Sequence, residues 1–245
     1  MSTGSAPSEY RRANPQRAGA LDVAPLPAAD RRSAAGLLAR AFRDNPLNRA
    51  VIGSSAARRL RCNTVGMRVN LETVAGIDLV LCARHAPEVG DGADLRVTEE
   101  PVQGGEGASA APLVGVLVAQ PPDRRPLPAP SLWKAARLLV GQGPRVVGRW
   151  AQVSQGLWRA RPLGAHWQLA NLGVDPLYWR EGVGRALLQA WLRRVDARPT
   201  RAYLETDRPE GRHLYESVGF SVRETIQLLG VPIHLMERPE RGKES

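Results

Sequence analysis

The clearest pattern of apolar and polar positions lies in the C-terminal half of the chain. Between His166 and Val174 apolar residues alternate imperfectly with polar ones, which predicts a strand that is buried on at least one face and stopped by Pro176. Further on, apolar residues fall at spacings of one, three and four positions, with arginines opposite: Leu187, Leu188, Trp191, Leu192 and Val195. This second pattern predicts an amphipathic helix that begins near Gly182.

Similar patterns along the rest of the chain predict an α/β protein. The expected strands cover 21–26, 77–83, 111–119, 202–206, 220–228 and 232–236, and the expected helices cover 30–44, 56–74, 209–218 and two segments within 131–161. Their order, β-α-α-β-β-(αα)-β-α-β-α-β-β, predicts a mixed sheet with helices packed on it.

The domain organisation follows from the segments between these elements. We expect one domain over residues 19–237, with tails at 1–18 and 238–245 that are rich in Ser, Pro or charged residues. Residues 87–109 are crowded with Gly, Asp and Glu and are expected to form a flexible loop, while 121–163 form a helical insertion. The tryptophans of this insertion favour extra core or a dimer surface over a lid on an acceptor pocket, because large apolar residues at helical spacing usually pack.

Charge and composition narrow the possible partners. The 245 residues carry a formal net charge of +10, which raises the question of nucleic acid. The arginines are scattered and accompanied by abundant Ala, Gly and Pro, so a G+C-rich coding bias is the preferred interpretation and nucleic acid is not the expected partner. A basic surface would still attract a small polyanion.

Other classes of protein are disfavoured by what the sequence lacks. No apolar run reaches the roughly 18 to 20 residues of a membrane span, and no apolar segment near the start resembles a signal peptide, so we expect a cytoplasmic protein without a membrane partner. The two cysteines and four histidines show no metal-ligand spacing, and no metal is expected.

The junction of strand and helix is the best candidate binding site. The first amides of a helix lack intrahelical partners and favour an anion, so a diphosphate is expected on the amides of Gly182, Val183, Gly184, Arg185 and Ala186, with charge added by Arg180 and Arg185. The third glycine of a dinucleotide fingerprint is replaced by Leu187, and no P-loop lysine follows, which disfavours both common phosphate-binding motifs.

The same stretch resembles the acyl-CoA-binding motif of the GNAT superfamily of N-acyltransferases. Val174, Pro176, Gly182 and Gly184 stand at the family spacing, although the usual Gln or Arg three residues before the first glycine is Trp179. Residues 214–220 resemble the family's second signature, Leu-Tyr-x-x-x-Gly-Phe. Over residues 19–237 the resemblance implies a mixed, mostly antiparallel central sheet flanked by helices and splayed between its fourth and fifth strands, with the helical insertion before the fourth, and acetyl-CoA as cosubstrate.

The resemblance also implies roles for individual residues. Backbone groups of Leu172, Gly173 and Val174 would pair with the pantetheine arm, and the turn from Arg180 through Glu181 to Ala186 would hold the phosphates. Tyr215 matches the family tyrosine that acts as general acid. Glu205 is the preferred general base, with Glu72 and His166 as competitors, and the asparagine often found before the family's short helix is absent from 207–213.

Three functions remain in competition at this point. The leading one is transfer of an acetyl group from acetyl-CoA to a primary amine of a small molecule, by direct attack in a ternary complex. Local similarity of 166–176 to the puromycin N-acetyltransferase-like branch slightly favours a small amine or aminonucleoside acceptor, and a homodimer is possible. The alternatives are a non-catalytic acyl-CoA-binding regulatory protein and, from net charge alone, a nucleic-acid-binding protein.

Overall fold

Helices cover both faces of a single mixed sheet. The computed structural model describes residues 20–76, 78–85, 111–122 and 131–240, together with the backbone of 96–97. The strands are β1 (Leu21–Pro25), β2 (Leu79–His85), β3 (Arg96–Val97), β4 (Leu113–Gln120), β5 (Trp167–Val174), β6 (Ala202–Thr206), β7 (Ser221–Leu228) and β8 (Val231–Arg238). The helices are α1 (Arg31–Ala41), α2 (Pro46–Ile52), α3 (Ala56–Val74), α4 (Leu132–Gln142), α5 (Pro144–Ala160), α6 (Val183–Asp196) and α7 (Pro209–Glu216).

The fold predicted from the sequence is confirmed in its main features. The strands follow the order β3-β1-β2-β4-β5-β6-β8-β7, and all neighbours are antiparallel except β1 with β3 and β5 with β6. The sequence analysis missed α2 and the two-residue β3, and it started β2 two residues too early. The N-terminal tail, residues 241–245 and most of the expected loop at 87–109 lie outside the described residues, so those predictions stay untested. The expected C-terminal tail began one residue too early, because Arg238 ends β8 and is buried against Asp196.

The expected splay between the fourth and fifth family strands appears between β5 and β6. The two strands are paired only from Trp167 with Ala202 to Leu169 with Leu204. The register of β5 against β4 shifts at the next residue, Ala170, which is the extra residue of a β-bulge. A bulge bends its strand and ends local pairing, so β5 leaves β6 at this point and Ala170 is exposed.

Each face of the sheet is covered by its own helices. On one face the apolar side of α6 is fully buried, with Leu187, Leu188 and Trp191 in the largest core cluster. On the other face α1 packs so closely that a Cβ on Gly173 would lie 2.7 Å from Leu38 Cδ2. In the part of the chain that the structure describes, no helix combines the length and the apolar character needed to cross a membrane.

Candidate active site

The connection from β5 to α6 has the backbone shape of an anion-binding turn. Arg180 (φ 69°) and Gly182 (φ 80°) are both left-handed, whereas Glu181 between them has no positive φ and Val183 begins the helix. A left-handed residue followed by a right-handed one, as at Gly182 and Val183, turns successive N–H groups toward one point and forms a concave anion-binding nest. Arg180 is one of only two non-glycine residues with positive φ in the described chain, which marks this turn as strained.

The helix supplies three amides to this nest rather than the longer run that we expected. The first intrahelical hydrogen bond runs from the Ala186 amide to the Gly182 carbonyl at 3.0 Å. Ala186 is therefore removed from the expected phosphate contacts, because its donor is already committed. The amides of Val183, Gly184 and Arg185 precede the first intrahelical donor, and with the N-cap amide of Gly182 they remain as the donor set.

The two glycines of the turn serve different purposes. No atom lies within 4 Å of a Cβ placed on Gly182, so the space in front of the turn is open and only the left-handed backbone requires glycine. A Cβ on Gly184 would lie 3.3 Å from Leu214 Cδ2 and 3.6 Å from Val174 Cγ2. Gly184 thus lets α6 approach β5 and α7 closely.

The charged side chains of the turn are arranged unequally. Arg180 and Arg185 are exposed, and Arg185 donates to Ser217 Oγ at 3.1 Å. Glu181 is turned inward, with its carboxylate 3.6 Å from His85 Nε2 at the end of β2. The carboxylate of Glu181 therefore lies beside the end of β2.

Past the bulge, β5 presents only alternate residues to the gap. The Asp175 amide donates to the Val114 carbonyl of β4 at 2.9 Å. Since hydrogen-bonding directions alternate along an antiparallel strand, the backbone of Gly173 also faces β4, whereas Leu172 and Val174 face the gap. Of the three residues expected to contact a pantetheine arm, Leu172 and Val174 thus have backbone groups facing the gap, whereas Gly173 packs against α1.

Trp179 lies at the open end of the gap between β5 and β6. Its indole Nε1–H donates to the Val174 carbonyl at 3.0 Å, and the Arg208 guanidinium stands over its ring at 5.0 Å. Trp179 follows β5 and Arg208 follows β6, so the pair bridges the two strands where they diverge. The residue that departs from the family motif thus covers one of the two backbone carbonyls that face the gap.

The elbow between α1 and α2 is fixed to the same edge by two acidic residues. Asp175, after β5, accepts from Arg40 of α1 at 2.5 and 3.1 Å. Asp207, after β6, accepts from the Leu47 amide at the start of α2 at 2.8 Å. These bonds position the elbow over the open ends of β5 and β6, and a sequence pattern cannot reveal them because the partners are more than 130 residues apart.

Glu205 lies where the strands begin to separate. It follows Leu204, the last β6 residue paired with β5, and its side chain is only 11% exposed. Gln168 Nε2 lies 3.3 Å from both carboxylate oxygens, and Arg161 at the end of α5 approaches at 3.4 Å. Burial raises the pKa of the Glu205 carboxyl, and Arg161 and Gln168 offset this only in part.

Tyr215 lies on the other face of β6. It belongs to the core cluster that contains Leu204, it packs edge-on against Phe220 at 6.2 Å, and it is 9% exposed. Because side chains alternate along a strand, Glu205 points away from the face that Tyr215 covers. Burial, reinforced by the charge of Asp207, raises the pKa of the Tyr215 phenol, which keeps it protonated at neutral pH.

The two competing bases have structural roles. Glu72 on α3 forms an ion pair with Arg137 of α4 at 2.5 Å and lies in the exposed seam between these helices. His166 is buried before β5, with Nδ1 2.8 Å from the Gly164 carbonyl and its ring edge-on to Tyr203. Within the described residues no group of three His, Cys, Asp or Glu side chains has the geometry of a metal site.

Comparisons with known proteins agree with this geometry. Residues 142–222 match the family model of the acetyltransferase (GNAT) domain. No curated protein matches the chain.

Solved structures show where the fold recurs. A histone acetyltransferase HPA2-related acetyltransferase from Corynebacterium glutamicum is 20% identical, with a TM-score of 0.64 over 92% of this chain and 99% of its own. The C-terminal condensation domain of Ebony, solved with beta-alanyl-dopamine, is 8% identical, with a TM-score of 0.53 over 89% and 98% of the two chains. At such identities these likenesses show the fold alone.

The splayed strands, the glycine turn at the start of α6 and the second signature at 214–220 coincide with the segment matched by the family model. The fold around them is that of a solved acetyltransferase. Residues 142–222 are therefore similar to a GNAT acetyltransferase domain, and the chain shares the fold of a solved acetyltransferase.

Proposed function

We propose that the protein is an N-acetyltransferase that moves an acetyl group from acetyl-CoA to a primary amine of a small molecule, by direct attack in a ternary complex. The observation that carries the proposal is the coincidence of two features at one sheet edge. These features are the gap that opens between β5 and β6 at Ala170 and the three amides of Val183, Gly184 and Arg185 beside it.

The residues present fit acetyl-CoA in chemistry as well as in position. The left-handed turn at Gly182 offers amides to a diphosphate, and Arg180 and Arg185 add positive charge at the surface. The backbone of Leu172 and Val174 offers an open strand edge to the amides of a pantetheine arm. The cosubstrate supplies an acetyl thioester, whose carbonyl is activated toward an amine nucleophile.

Within this proposal the chain positions the reactants and handles two protons. An amine must be neutral to attack, and Glu205 can accept its proton, directly or through one water, from the face of the sheet that α5 covers. A raised pKa suits this task because a base works best when its pKa lies near the operating pH. Tyr215, held protonated, can donate toward the departing sulfur from the opposite face.

A second candidate is a non-catalytic acyl-CoA-binding regulatory protein. The observation that favours it is the burial of Tyr215, whose phenol lies in the core cluster, together with the cover that Trp179 forms over the Val174 carbonyl. In that case Gly182 and its neighbours would bind acyl-CoA, while no proton would be transferred at Glu205 or Tyr215.

Release of CoA separates the two candidates. The assay measures free thiol while acetyl-CoA is mixed with a panel of arylalkyl amines, polyamines, aminoglycosides and aminonucleosides. Turnover with one of these amines, lowered about 10²- to 10⁴-fold in Glu205→Gln, is the expected result. Tight binding of acetyl-CoA with no release across the panel would contradict the enzyme and support the regulatory protein.

A further inference from the structure

The helix α4 packs a mostly polar side against α3 and leaves its apolar side exposed, the reverse of an ordinary amphipathic helix. Its contacts with α3 are made by polar and small residues: Lys134 and Arg137 bond to Glu72, Gln142 donates to the Cys62 carbonyl at 2.8 Å, and a Cβ on Gly141 would meet Val65 at 2.7 Å. The opposite side of the helix is apolar and exposed. Its residues, which we call the α4 outer face, are Leu132, Trp133, Ala136, Leu139 and Val140.

The exposure of this face is unusual. Leu132 is 91% exposed, Val140 is 89% exposed and Trp133 is 73% exposed. They recur at the spacing of one helical face, so they form a continuous stripe rather than scattered surface residues. Exposed apolar residues in contiguous stripes mark interaction sites, whereas single ones need no explanation. The sequence analysis expected the insertion to form extra core or a dimer surface, and within the chain the apolar residues of α4 are not part of the core.

Charge around the stripe selects the kind of partner. From Lys134 to Val174 the sequence holds six Lys or Arg residues and no Asp or Glu. Arg145, just after α4, is exposed, and so are Arg61 and Arg68 on the neighbouring helix α3. The Glu72 carboxylate of this region is already paired with Arg137. Arg137 is neutralised by this pair, but Arg61, Arg68 and Arg145 leave exposed positive charge on and next to the two packed helices, so the partner of the stripe should be anionic.

A second copy of the chain does not fit this surface. The 11 residues of α4 form a helix about 16 Å long and about 10 Å wide. One face of such a helix is several times smaller than the roughly 800 Å² per partner of a stable protein interface. Two copies would also bring like charges together.

We propose that α4 lies in the plane of an anionic lipid surface, with the α4 outer face inserted among the acyl chains and the surrounding arginines on the head groups. A bilayer accepts each apolar side chain separately, so a short stripe suffices where a protein partner would need a large area. Trp and the basic side chains are suited to the boundary between head groups and hydrocarbon. The helix is far too short to cross the bilayer, so this is peripheral binding. It departs from our expectation, based on the sequence, that the protein has no membrane partner.

The test is co-sedimentation of the full chain with two kinds of vesicle. One kind consists of phosphatidylcholine mixed with phosphatidylglycerol, and the other consists of phosphatidylcholine alone. Wild type should bind the anionic vesicles at least tenfold more tightly, and high salt should weaken that binding. The double variant Leu132→Asp/Val140→Asp should lose at least tenfold in vesicle affinity.

Matched controls keep the test decisive. Leu163→Asp changes a leucine that is 90% exposed but lies outside α4, and it should bind vesicles like wild type. Leu132, Val140 and Leu163 are all exposed, so the double variant and Leu163→Asp should have the Tm of wild type. Trp133→Ser provides a second, milder change of the α4 outer face.

Three results would overturn the proposal. The first is no binding of wild type to either kind of vesicle, as expected if the partner is an acidic protein. The second is vesicle binding that the double variant and Leu163→Asp share equally. The third is a wild-type dimer, measured by light scattering, that the double variant dissociates, because the α4 outer face would then be an interface between copies.

Discussion

The left-handed backbone at Gly182 is the feature of the proposed cofactor site that a single substitution can test. At φ 80° an alanine carries a steric strain of about 1–2 kcal/mol, whether or not any ligand is present. No atom lies within 4 Å of the new Cβ, so Gly182→Ala causes no clash inside the protein. The Cβ instead enters the open space in front of the turn, where the phosphates are proposed to lie.

The hairpin between β7 and β8 provides a matched control. Gly230 has φ 76°, and no atom lies within 4 Å of the position that a Cβ on this residue would take. Gly230→Ala should therefore cost the same 1–2 kcal/mol of stability, or about 2–8 °C in Tm for a domain of this size. The two variants differ only in their place in the fold, since Gly230 lies in a turn outside the β5–α6 connection.

The expected loss of affinity follows from the hydrogen bonds at stake. Alanine either relaxes to negative φ, which turns the amides of Val183 and Gly184 away, or stays left-handed and displaces the phosphates. Each route loses at least one hydrogen bond to a charged group, worth about 1.5–3 kcal/mol. This corresponds to a rise of about 10- to 150-fold in the Kd for acetyl-CoA.

Calorimetric titration with acetyl-CoA measures the effect directly. Wild type and Gly230→Ala should bind with the same Kd, and Gly182→Ala should bind more weakly by the stated factor. Equal affinities for all three proteins would refute the reasoning, because the nest would then contribute nothing to binding. Equal weakening in both variants would show that lost stability, and not the turn, controls affinity.

Further predictions concern the proton-handling residues and the thiols. Burial raises the pKa of Glu205 in the folded state. Wild type should therefore lose stability relative to Glu205→Gln as pH rises from about 4.3 through that raised pKa. Denaturant midpoints of the two proteins that change equally with pH over this range would contradict this prediction. If the Tyr215 phenol is the general acid, Tyr215→Phe should lower kcat about 10²- to 10⁴-fold and leave KM for acetyl-CoA nearly unchanged. An unchanged kcat would mean that Tyr215 only packs in the core. Cys62 and Cys82 are buried, and burial raises the pKa of Cys82 to about 11, so a thiol reagent should label neither in the native protein and both after unfolding; native labelling would contradict the burial.

Much of the fold was predictable because local patterns and tertiary packing agree. The apolar face of α6 from Leu187 to Val195 is the buried face, and the N-cap is Gly182, as the periodicity and the glycine indicate. The terminal hairpin was also predicted, with Gly230 at its turn.

The elements that were missed depend on distant contacts. The seven residues of α2 are too short to show a helical period, and their first turn is held by Asp207 from the other end of the chain. The bulge at Ala170 depends on the register of β5 against β4, which no local pattern encodes.

The site was predictable in its backbone and less so in its side chains. The glycine spacing located the turn, but it did not distinguish Gly182, required for its φ, from Gly184, required for packing. The sequence could not show that Leu172 and Val174 are the residues whose amides face the gap, because this depends on the hydrogen bond from Asp175 to Val114. The apolar residues of α4 were expected to form extra core or a dimer surface, because periodicity identifies one face without saying what covers it.

The central claim is that the β5–α6 turn and the gap beside it bind acetyl-CoA. The most direct measurement is thermal unfolding with acetyl-CoA, and with NADH and ATP as other anionic ligands. At about a hundred times its Kd, acetyl-CoA should add roughly 2.7 kcal/mol of stability and raise Tm by about 5 to 10 °C, with smaller effects from the other two. No rise, or an equal rise with all three ligands, would contradict the claim and reduce the turn to a general anion site.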